Sequence, residues 1–402
     1  MTPQDTAFAE TLPYLDISDP DFSIRSQAVL DARDTAWCAR TPYGLAALRY
    51  DDVQKLLRHP KLRQGSYRWP THSGVTSGAF ARWWEAMLLS QEGSEHARLR
   101  RMANPAFSPK LITSLIPKFQ ALANRLIDDF APRGECDFIA EFTEPYATGV
   151  ICDLLGLPFE KWRELADIAG DMGLALGVTY KRDQVQVDAA ADRLFAYAEE
   201  LVALRRAEPS EDFIGMLVKA NEDKEKLSDQ ELLDMIVLAI FGGIDTTRNQ
   251  LGLAMAMFIE HPDQWALLAE QPDLARAAVE EVMRVRPTIT WVTREATETF
   301  TYNDTEIPGG TTVHLFSQSA ASDPAVFANT AFDITAERKP HFGFGGGAHH
   351  CLGHFIARGD MTEALKLLAQ RLKNPRFNRE VSWLPDSGNT GAIAMPIAFD
   401  AA

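Results

Sequence analysis

Basic residues are in short supply in this sequence. It has 40 Lys and Arg against 56 Asp and Glu, which gives a formal net charge of −16 at pH 7. Proteins that bind nucleic acids neutralise phosphates with basic side chains, so this balance argues against nucleic acid as a main partner. A long apolar run is also missing. The most apolar segment, 235–244, reaches Asp245 and Arg248 well before the ~20 apolar residues of a membrane span. We therefore expect no contact with nucleic acid or membrane.

Cysteine is equally sparse, and its spacing excludes a disulfide framework. The four cysteines show no paired spacing, which is typical of reduced thiols in a cytosol. The N-terminal segment lacks a basic start followed by an apolar stretch, so we expect no signal peptide and a cytoplasmic location. With 46% apolar and 24% charged residues, the composition is that of an ordinary soluble globular protein.

Helical periodicity dominates the chain, and strand-like runs are short and scattered. We expect a mainly α protein with small β-sheets (α+β), folded as a single domain over residues 1–402. A hairpin is predicted to turn at Asn303 and Asp304. The predicted helices are 92–103, 111–131, 138–155, 187–206, 228–260, 263–269, 272–285 and 353–372, and the predicted strand regions are 44–50, 291–296, 299–316 and 392–399.

The helix predicted over 228–260 contains residues that a purely structural helix would avoid. Ser228 and Glu231 form a capping box at its start. Its middle holds Gly242 and Gly243, each costing about 1 kcal/mol relative to alanine. Close approach of a flat ligand would explain both glycines. Asp245 and Thr246 follow, and polar groups in a buried segment need partners.

A cluster of glycines precedes Cys351 in the segment HFGFGGGAHHCLGHFIARGD, residues 341–360. Three interpretations of the cysteine are open. It can be a buried structural residue, or a zinc ligand together with His349, His350 and His354, although no second ligand pair lies at a suitable spacing. The third is a thiolate ligand of haem iron, with glycine amides directed at the sulfur.

The segment FGGGAHHCLG, residues 344–353, meets every fixed position of Phe-Gly-x-Gly-x-His-x-Cys-x-Gly. It thereby resembles the haem-thiolate signature of the cytochrome P-450 family, soluble bacterial type. Further family motifs occur in the same order as in the family: His96 and Arg100 in HARLR, GGIDTT at 242–247, Glu281 and Arg284 in EEVMR, and Arg294 seven residues after Pro287.

The resemblance implies a haem b cofactor and a long central helix over it. Cys351 would be the axial ligand of the iron, where a thiolate favours cleavage of the O–O bond. The positions that match the contacts of the haem propionates are His96, Arg100, Arg294 and His349. Glu281 and Arg284 would form a buried structural ion pair beneath the haem.

The resemblance also implies a catalytic acid–alcohol pair. Asp245 and Thr246 stand where the family delivers protons during dioxygen activation. Leu238, Phe241 and Thr290 fall where it places walls of the substrate pocket. Residues 65–87 would roof this pocket, and residues 170–181 would form a mobile lid.

Four positions depart from the family pattern. Ala336 stands where an arginine usually joins the Glu281–Arg284 pair, and Arg338 lies two residues further on. Ala321 and Ser322 replace an Asn-Arg anchor, and Asp360 replaces a commoner glutamate. These changes bear on local stability and haem retention rather than on the chemistry.

The function implied is a haem-thiolate monooxygenase that hydroxylates a small to mid-sized apolar molecule with dioxygen. A separate ferredoxin and ferredoxin reductase would supply electrons from NAD(P)H, and Arg98 and Arg101 are candidates for steering the acidic ferredoxin. We expect a monomer. The alternatives are a peroxide-driven peroxygenase, which would not need the Asp245–Thr246 pair, and a non-catalytic haem-binding sensor.

Overall fold

The computed structural model describes residues 11–223 and 225–401, and most of these residues are helical. The prediction of a mainly α protein with small β-sheets is confirmed. The helices are α1 (Gln27–Thr35), α2 (Tyr50–Leu56), α3 (Trp69–His72), α4 (Ala79–Ala86), α5 (Gly93–Ala103), α6 (Pro109–Phe130), α7 (Glu144–Leu155), α8 (Trp162–Gly173), α9 (Tyr180–Ala207), α10 (Phe213–Asn221), α11 (Asp229–Glu260), α12 (Pro262–Glu270), α13 (Ala275–Val285), α14 (Ser317–Ala321) and α15 (His354–Arg371).

The strands form a larger sheet at one side of the helices and several small ones. Their bounds are β1 (Cys38–Thr41), β2 (Gly44–Ala47), β3 (Leu62–Gln64), β4 (Glu135–Asp137), β5 (Trp291–Ala296), β6 (Phe300–Tyr302), β7 (Thr305–Ile307), β8 (Thr312–Phe316), β9 (Leu372–Phe377), β10 (Ser382–Trp383), β11 (Ala392–Ala394) and β12 (Pro396–Ala401). The larger sheet has the order β1-β2-β8-β5-β3, in which only β2 and β8 run parallel. β4, β12 and β9 form a second sheet, and β6–β7 and β10–β11 are two-stranded.

The hairpin β6–β7 turns where the sequence predicted. Asn303 and Asp304 both have positive φ, 45° and 60°. Two successive left-handed residues are the geometry of a type I′ turn, which suits the twist of a two-residue hairpin, and Asn and Asp tolerate this conformation.

Helix α11 is the central element of the fold. It has 32 residues and is therefore about 48 Å long. Its predicted capping box is present: the N–H of Glu231 donates to Ser228 Oγ at 3.3 Å, and the N–H of Ser228 donates to Glu231 Oε2 at 2.8 Å. The helix packs against α7, α8, α9 and α15. This position explains why it is apolar on nearly all sides.

An aromatic stack anchors the start of α7 against α15. Phe138, Phe142 and Tyr146 follow at helical spacing, with neighbouring ring centroids 5.3 Å apart in both pairs. Burying each such ring contributes about 1.5–3 kcal/mol. The hydroxyl of Tyr146 donates to the carbonyl of Asp360 at 2.8 Å. α7 is thus tied to the helix that follows the cysteine segment.

None of the helices within residues 11–223 and 225–401 is both long and apolar enough to cross a membrane.

Candidate active site

A cavity of about 410 Å³ lies between α11, α5, the cysteine segment and the segment 288–293. Cys351 lines one end, which we call the proximal end. Thr246, Leu238, Trp69 and Leu176 line the distal end, and the bare surface of α11 at Gly242 lies between the two. The chain thus brings the thiol of Cys351 into the same cavity as the hydroxyl of Thr246 and an apolar wall.

The glycines ahead of Cys351 shape the loop that presents it. Gly345 and Gly347 have φ values of 66° and 71°, a left-handed conformation that side chains with a Cβ rarely adopt. The turn closes when the N–H of Cys351 donates to the carbonyl of Phe344 at 2.9 Å. The loop then leads directly into α15, so the sulfur is fixed at the N-terminal end of that helix.

Cys351 is half-buried at the wall of the cavity, and its surroundings are cationic. Burial raises the pKa of the thiol, while the N–H of Gly353 and the charges of Arg100 and Arg358 act to lower it. A bound metal ion would deprotonate such a thiol outright. Among the described residues, no group of three or more His, Cys, Asp and Glu could hold a metal ion, and the imidazole of His354 is in contact with Arg358 through Nδ1 at 2.9 Å.

The four predicted propionate contacts lie along one edge of the cavity. The rings of His96 and His349 are 4.1 Å apart, and burial lowers the pKa of His96 to about 4. Arg100 donates to the carbonyl of His350 at 2.6 Å. Arg294 donates to the carbonyl of Gly346 at 3.3 Å, and burial lowers its pKa to about 10. His96, Arg100 and His349 line the cavity directly, and Arg294 lies behind the lining.

Neither guanidinium, Arg100 or Arg294, pairs with a carboxylate within the part of the chain that the structure describes. An uncompensated buried charge is costly, so both side chains are suited to a ligand that brings carboxylates. His349 Nδ1 is also buried, with no hydrogen-bond partner among the described residues.

Glu92 belongs to this cationic edge, although the sequence analysis did not include it. Its Oε1 accepts from His349 Nε2 at 3.1 Å, and it also accepts from the N–H of Gln64. Burial would raise the pKa of Glu92, but these two hydrogen bonds outweigh it and hold the pKa at about 2. The signal that could have found it is its position four residues before His96, just ahead of the same helix.

The cavity fits a flat group with two carboxylates, as the resemblance to haem proteins implies. It offers a sulfur at the proximal end and unpaired cations at one edge. A Cβ added at Gly242 would meet only Leu238 Cδ1, at 3.8 Å, so a ligand can lie against the helix there. The glycine at position 243 has a different explanation, because a Cβ added there would come within 2.2 Å of Ile151 Cδ1. Close packing on α7 therefore requires the second glycine.

At the distal end, Asp245 and Thr246 face in different directions. Thr246 lines the cavity, and its Oγ1 donates to the carbonyl of Gly242 at 2.7 Å. Asp245 is 2% exposed and lies behind the lining. Its Oδ1 accepts from Arg248 at 3.2 Å, and its Oδ2 accepts from Asn389 at 2.9 Å and from Asn249 at 3.2 Å.

The carboxyl of Asp245 is connected to the surface through Arg248. Arg248 Nη1 is 3.0 Å from Glu144 Oε1, and the Glu144 side chain is 28% exposed. Burial raises the pKa of Asp245, and Arg248, Asn389 and Asn249 oppose this shift. A polar path thus leads from solvent to an acid that stands one residue from the hydroxyl in the cavity.

Of the three predicted wall residues, only Leu238 lines the cavity. Phe241 is rotated about 100° from Gly242 around the helix axis, and its ring packs on Phe80 and Trp83 instead. Thr290 is fully buried and donates to the carbonyl of Ser387. These two positions differ from the prediction. The lining residues that the sequence analysis did not identify include Leu88, Leu89, Ile151, Met235 and Ile289.

Hydrogen bonds join the parts of the roof. Trp69 Nε1 donates to the carbonyl of Ala175 at 2.7 Å, which links α3 to the segment after α8. Trp84 lines the cavity, whereas Trp83 points away and donates to the carbonyl of Asp234 at 3.4 Å. The predicted roof and lid segments are therefore in direct contact.

Beneath the cavity, Glu281 and Arg284 form a bidentate pair with both N–O distances at 2.7 Å. Both side chains are at most 3% exposed. Arg338 Nη2 lies 3.1 Å from Glu281 Oε1, so Arg338 supplies the cation that is missing at Ala336. This answers the question that the sequence left open.

The structure also shows the surroundings of the other departures. Arg33 of α1 donates to Ser322 Oγ at 3.0 Å and to the carbonyl of Ser319 at 2.8 Å, so a cation from a distant part of the chain anchors this segment. Asp360 is fully buried, and burial raises its pKa well above the ordinary value. Its Oδ1 has no partner among the described residues.

Comparisons with known proteins agree with this geometry. A family profile described as Cytochrome P450 matches residues 178–382. The luteothin monooxygenase of Streptomyces thioluteus is 38% identical over 97% of this chain and 97% of its own length. The mycinamicin IV hydroxylase/epoxidase of Micromonospora griseorubida is 31% identical over 90% and 91%.

Solved structures show the same fold. The crystal structure of CalO2 superposes with a TM-score of 0.88 at 27% identity, covering 96% of this chain and 99% of that one. The cytochrome P450 fold, its haem b cofactor and its monooxygenase activity therefore extend to this protein: the chain belongs to the cytochrome P450 family.

Proposed function

We propose that this monooxygenase hydroxylates an apolar organic molecule, with Asp245 and Thr246 as its proton relay and a ferredoxin as its electron donor. The observation that carries the proposal is the arrangement of the distal end. A hydroxyl faces the cavity beside the bare surface of Gly242, and a buried acid behind it is linked to solvent through Arg248 and Glu144.

Cys351 would hold the iron of a bound haem, and its thiolate would supply electron density for the activation of dioxygen. The reaction consumes two electrons and two protons; one oxygen atom enters a C–H bond of the substrate and the other leaves as water. Arg100, Arg294 and His349 would hold the carboxylates of the cofactor, which would compensate the buried charge of the two arginines and give His349 Nδ1 a partner.

The proposed relay has one step at each residue. Asp245 takes up a proton on its solvent side, where Arg248 and Glu144 maintain a polar path. Its raised pKa favours a protonated carboxyl nearer neutral pH than an exposed aspartate would allow. The carboxyl then turns and passes the proton to the Thr246 hydroxyl, which exchanges its bond to the Gly242 carbonyl for one into the cavity.

The substrate class follows from the distal wall. Trp69, Trp84, Leu88, Leu176 and Leu238 give this end an apolar surface. Such a pocket orients its ligand by shape and by a few polar groups. The similar proteins named above act on luteothin and mycinamicin IV, and a further relative is a steroid C26-monooxygenase. Hydroxylation of a small to mid-sized apolar molecule fits this surface.

A ferredoxin docks on the proximal side in this proposal, but Arg98 is not available to it. Arg98 is paired with Glu95 at 2.6 Å and with Glu231. Arg101, on the next turn of α5, is exposed. Arg101 is therefore the better candidate for steering an acidic partner, delivering electrons from NAD(P)H through a reductase. We further propose that residues 1–402 act as one domain and as a monomer.

The test is turnover of the haem-loaded enzyme with purified ferredoxin, ferredoxin reductase and NADPH. First, the reduced protein is exposed to carbon monoxide, and a strongly red-shifted Soret band is expected for a thiolate ligand. Apolar compounds are then screened for a spin-state shift, and the product formed per NADPH is measured. A wild-type enzyme that works equally well with hydrogen peroxide alone, and whose Asp245→Asn variant keeps full coupling, would indicate a peroxygenase instead.

A further inference from the structure

The turn between β10 and β11 contacts both the roof of the cavity and the buried acid. Gly388 and Asn389 of this turn line the cavity. Ser387 Oγ lies 3.3 Å from the carbonyl of Leu176, which belongs to the roof segment after α8, and 2.8 Å from the carbonyl of Asn389 within the turn. On its other side, Asn389 Nδ2 donates to Asp245 Oδ2 at 2.9 Å. Asn389 stands 144 residues from Asp245 in the chain, so a contact of the fold rather than a local motif brings them together.

The amide of Asn389 is itself held in one orientation. Its Nδ2 faces the carboxylate, and its Oδ1 lies 2.9 Å from the hydroxyl of Thr288, which is also 2.7 Å from the carbonyl of Thr390. Asn389 is 4% exposed and Thr288 is 3% exposed. The turn also sits close on α11, because a Cβ added at Gly391 would come within 2.4 Å of Asn249 Oδ1. A side chain so fixed can determine the orientation of the group that it contacts.

The other contacts of Asp245 cannot fix its carboxyl relative to the rest of the fold. Arg248 and Asn249 come from its own helix and move with it. α8 presents Gly173, which has no side chain, and Glu144 of α7 reaches Asp245 only through Arg248. Among the described residues, Asn389 is thus the one side chain on another element that donates to the carboxyl.

We propose that Asn389 is a positioning residue for Asp245, and that the turn at 387–389 couples closure of the roof over a substrate to the orientation of the acid. This inference rests on the proposed relay. With the roof closed, Ser387 holds the turn and Asn389 holds the carboxyl in its solvent-linked position. When the bond of Ser387 to Leu176 is broken, the turn shifts and the carboxyl loses its fixed orientation.

The test compares Asn389→Leu and Asn389→Asp with wild type and with Asp245→Asn in the haem-loaded enzyme. One readout is the solvent deuterium isotope effect on product formation, which reports proton delivery and not folding. A second is infrared spectroscopy of the protonated carboxyl band, assigned to Asp245 by its loss in Asp245→Asn. The matched control is Asn378→Leu, which removes a similar amide-to-carboxylate bond, to Glu135 at 2.8 Å, on the surface.

We expect Asn389→Leu to slow product formation about tenfold or more, since small misplacements of a reacting group have effects of this size. The isotope effect should rise, and the carboxyl band of Asp245 should shift. Asn389→Asp keeps the shape of the side chain but adds a second carboxyl, which disfavours ionisation of Asp245 and strengthens its protonated band. If Asn389→Leu loses its haem spectrum, Asn389→Asp, which has the same shape as the wild-type side chain, tests the positioning role.

The inference is wrong if Asp245→Asn alters the isotope effect while both Asn389 variants match wild type in band and isotope effect. If Asp245→Asn itself leaves the isotope effect unchanged, the proposed relay is wrong and the positioning role fails with it. The coupling to the roof is tested by Ser387→Ala, which removes the contact with Leu176 and also the bond to the Asn389 carbonyl, and by Trp69→Phe, which removes a bond within the roof and leaves the turn intact. In both variants the carboxyl band should lose its dependence on substrate binding, and an unchanged dependence in either variant contradicts the coupling.

Discussion

The two ends of the cavity are held by different kinds of contact. At the proximal end, Cys351 is placed by a loop whose bonds span a few residues, such as the one from its N–H to Phe344. At the distal end, Asp245 is held by Asn389 from a distant turn, and Trp69 meets Ala175 across more than a hundred residues. The loop that carries Cys351 is therefore encoded in one short motif, whereas the acid and the roof at the distal end depend on how distant elements pack.

This difference has a functional consequence. The proposed thiolate ligand and the cations beside it must be the same whatever the substrate, so these residues can occupy fixed positions in short motifs, even though the fold brings Arg100 and His350 together from distant parts of the chain. The distal wall has to fit one particular molecule, and many residues from separate elements contribute to it. We therefore expect substitutions at the proximal end to weaken cofactor binding or the stability of the fold. Substitutions at the distal end should retain the cofactor and lower the amount of product formed per NADPH.

The largest effect is expected for Cys351→Ala. This substitution would remove the proposed ligand of the haem iron, so monooxygenation should fall below detection and the red-shifted Soret band of the carbon monoxide complex should disappear. Absorption spectroscopy and product analysis check both outcomes. Cys136→Ala is the matched control, because Cys136 is a buried cysteine away from the cavity. Measurable product formation in Cys351→Ala would contradict the ligand assignment.

The next effect concerns the scaffold beneath the cofactor. Glu281→Ala leaves Arg284 and Arg338 without their shared carboxylate in a buried site. Removing one partner of a buried ion pair costs about 3–5 kcal/mol, and a lower urea midpoint should report this loss. Glu280→Ala is the control, since its partners include Arg358 and its side chain is 37% exposed. Equal midpoint shifts in the two variants would show that the buried network adds no particular stability.

Much of the fold could be predicted from sequence, because the long helices carry clear periodicity. The capping box places the start of α11 within one residue, and the hairpin turn at Asn303 and Asp304 follows from turn chemistry. Helices such as α1, α8 and α10 were not predicted. α8 has an amphipathic pattern that the sequence analysis overlooked. α10 has only 9 residues, which is short for a periodic pattern.

The candidate site was predictable to the extent that it lies on motifs. Cys351, Thr246, Leu238 and the cationic edge are found at the cavity because each sits at a fixed position of a recognisable pattern. Glu92, Arg33 and Asn389 are missed by sequence because their roles come from tertiary contacts, and a single sequence has no signal for contacts between distant residues. The same limit explains Phe241, whose side of α11 is decided by the packing of α4.

At the distal end, Thr246→Ala should keep the cofactor and lose coupling. Without the hydroxyl in the cavity, proton delivery is disordered, and we expect product per NADPH to fall about tenfold while peroxide is released. Reconstituted turnover with peroxide detection measures this. Thr113→Ala is the control, since Thr113 makes the same helical bond to a carbonyl, at 2.9 Å, on an exposed face. Unchanged coupling in Thr246→Ala would show that the hydroxyl is not part of the relay.

The smallest expected effect concerns how pH changes stability at the sheet behind the distal wall. His314 of β8 is fully buried, packs on Trp291 and has Nε2 without a partner among the described residues. Burial, together with the charge of His72, lowers its pKa from 6.5 to about 3. Between these two pKa values, His314 is therefore protonated in the unfolded chain and neutral in the folded chain. The contribution of neutral His314 to the free energy of unfolding is fully present above pH 6.5 and is lost as the pH falls below this value.

From pH 7 to pH 5, this single group should lower the free energy of unfolding by at most about 2 kcal/mol. The measurement is the urea midpoint of wild type and His314→Leu at several pH values. The leucine variant, which cannot be protonated, should lose less stability over this range. Parallel curves for the two proteins would mean that His314 is hydrated or protonated in the fold, and that the sheet behind the distal wall is less tightly closed than its packing indicates.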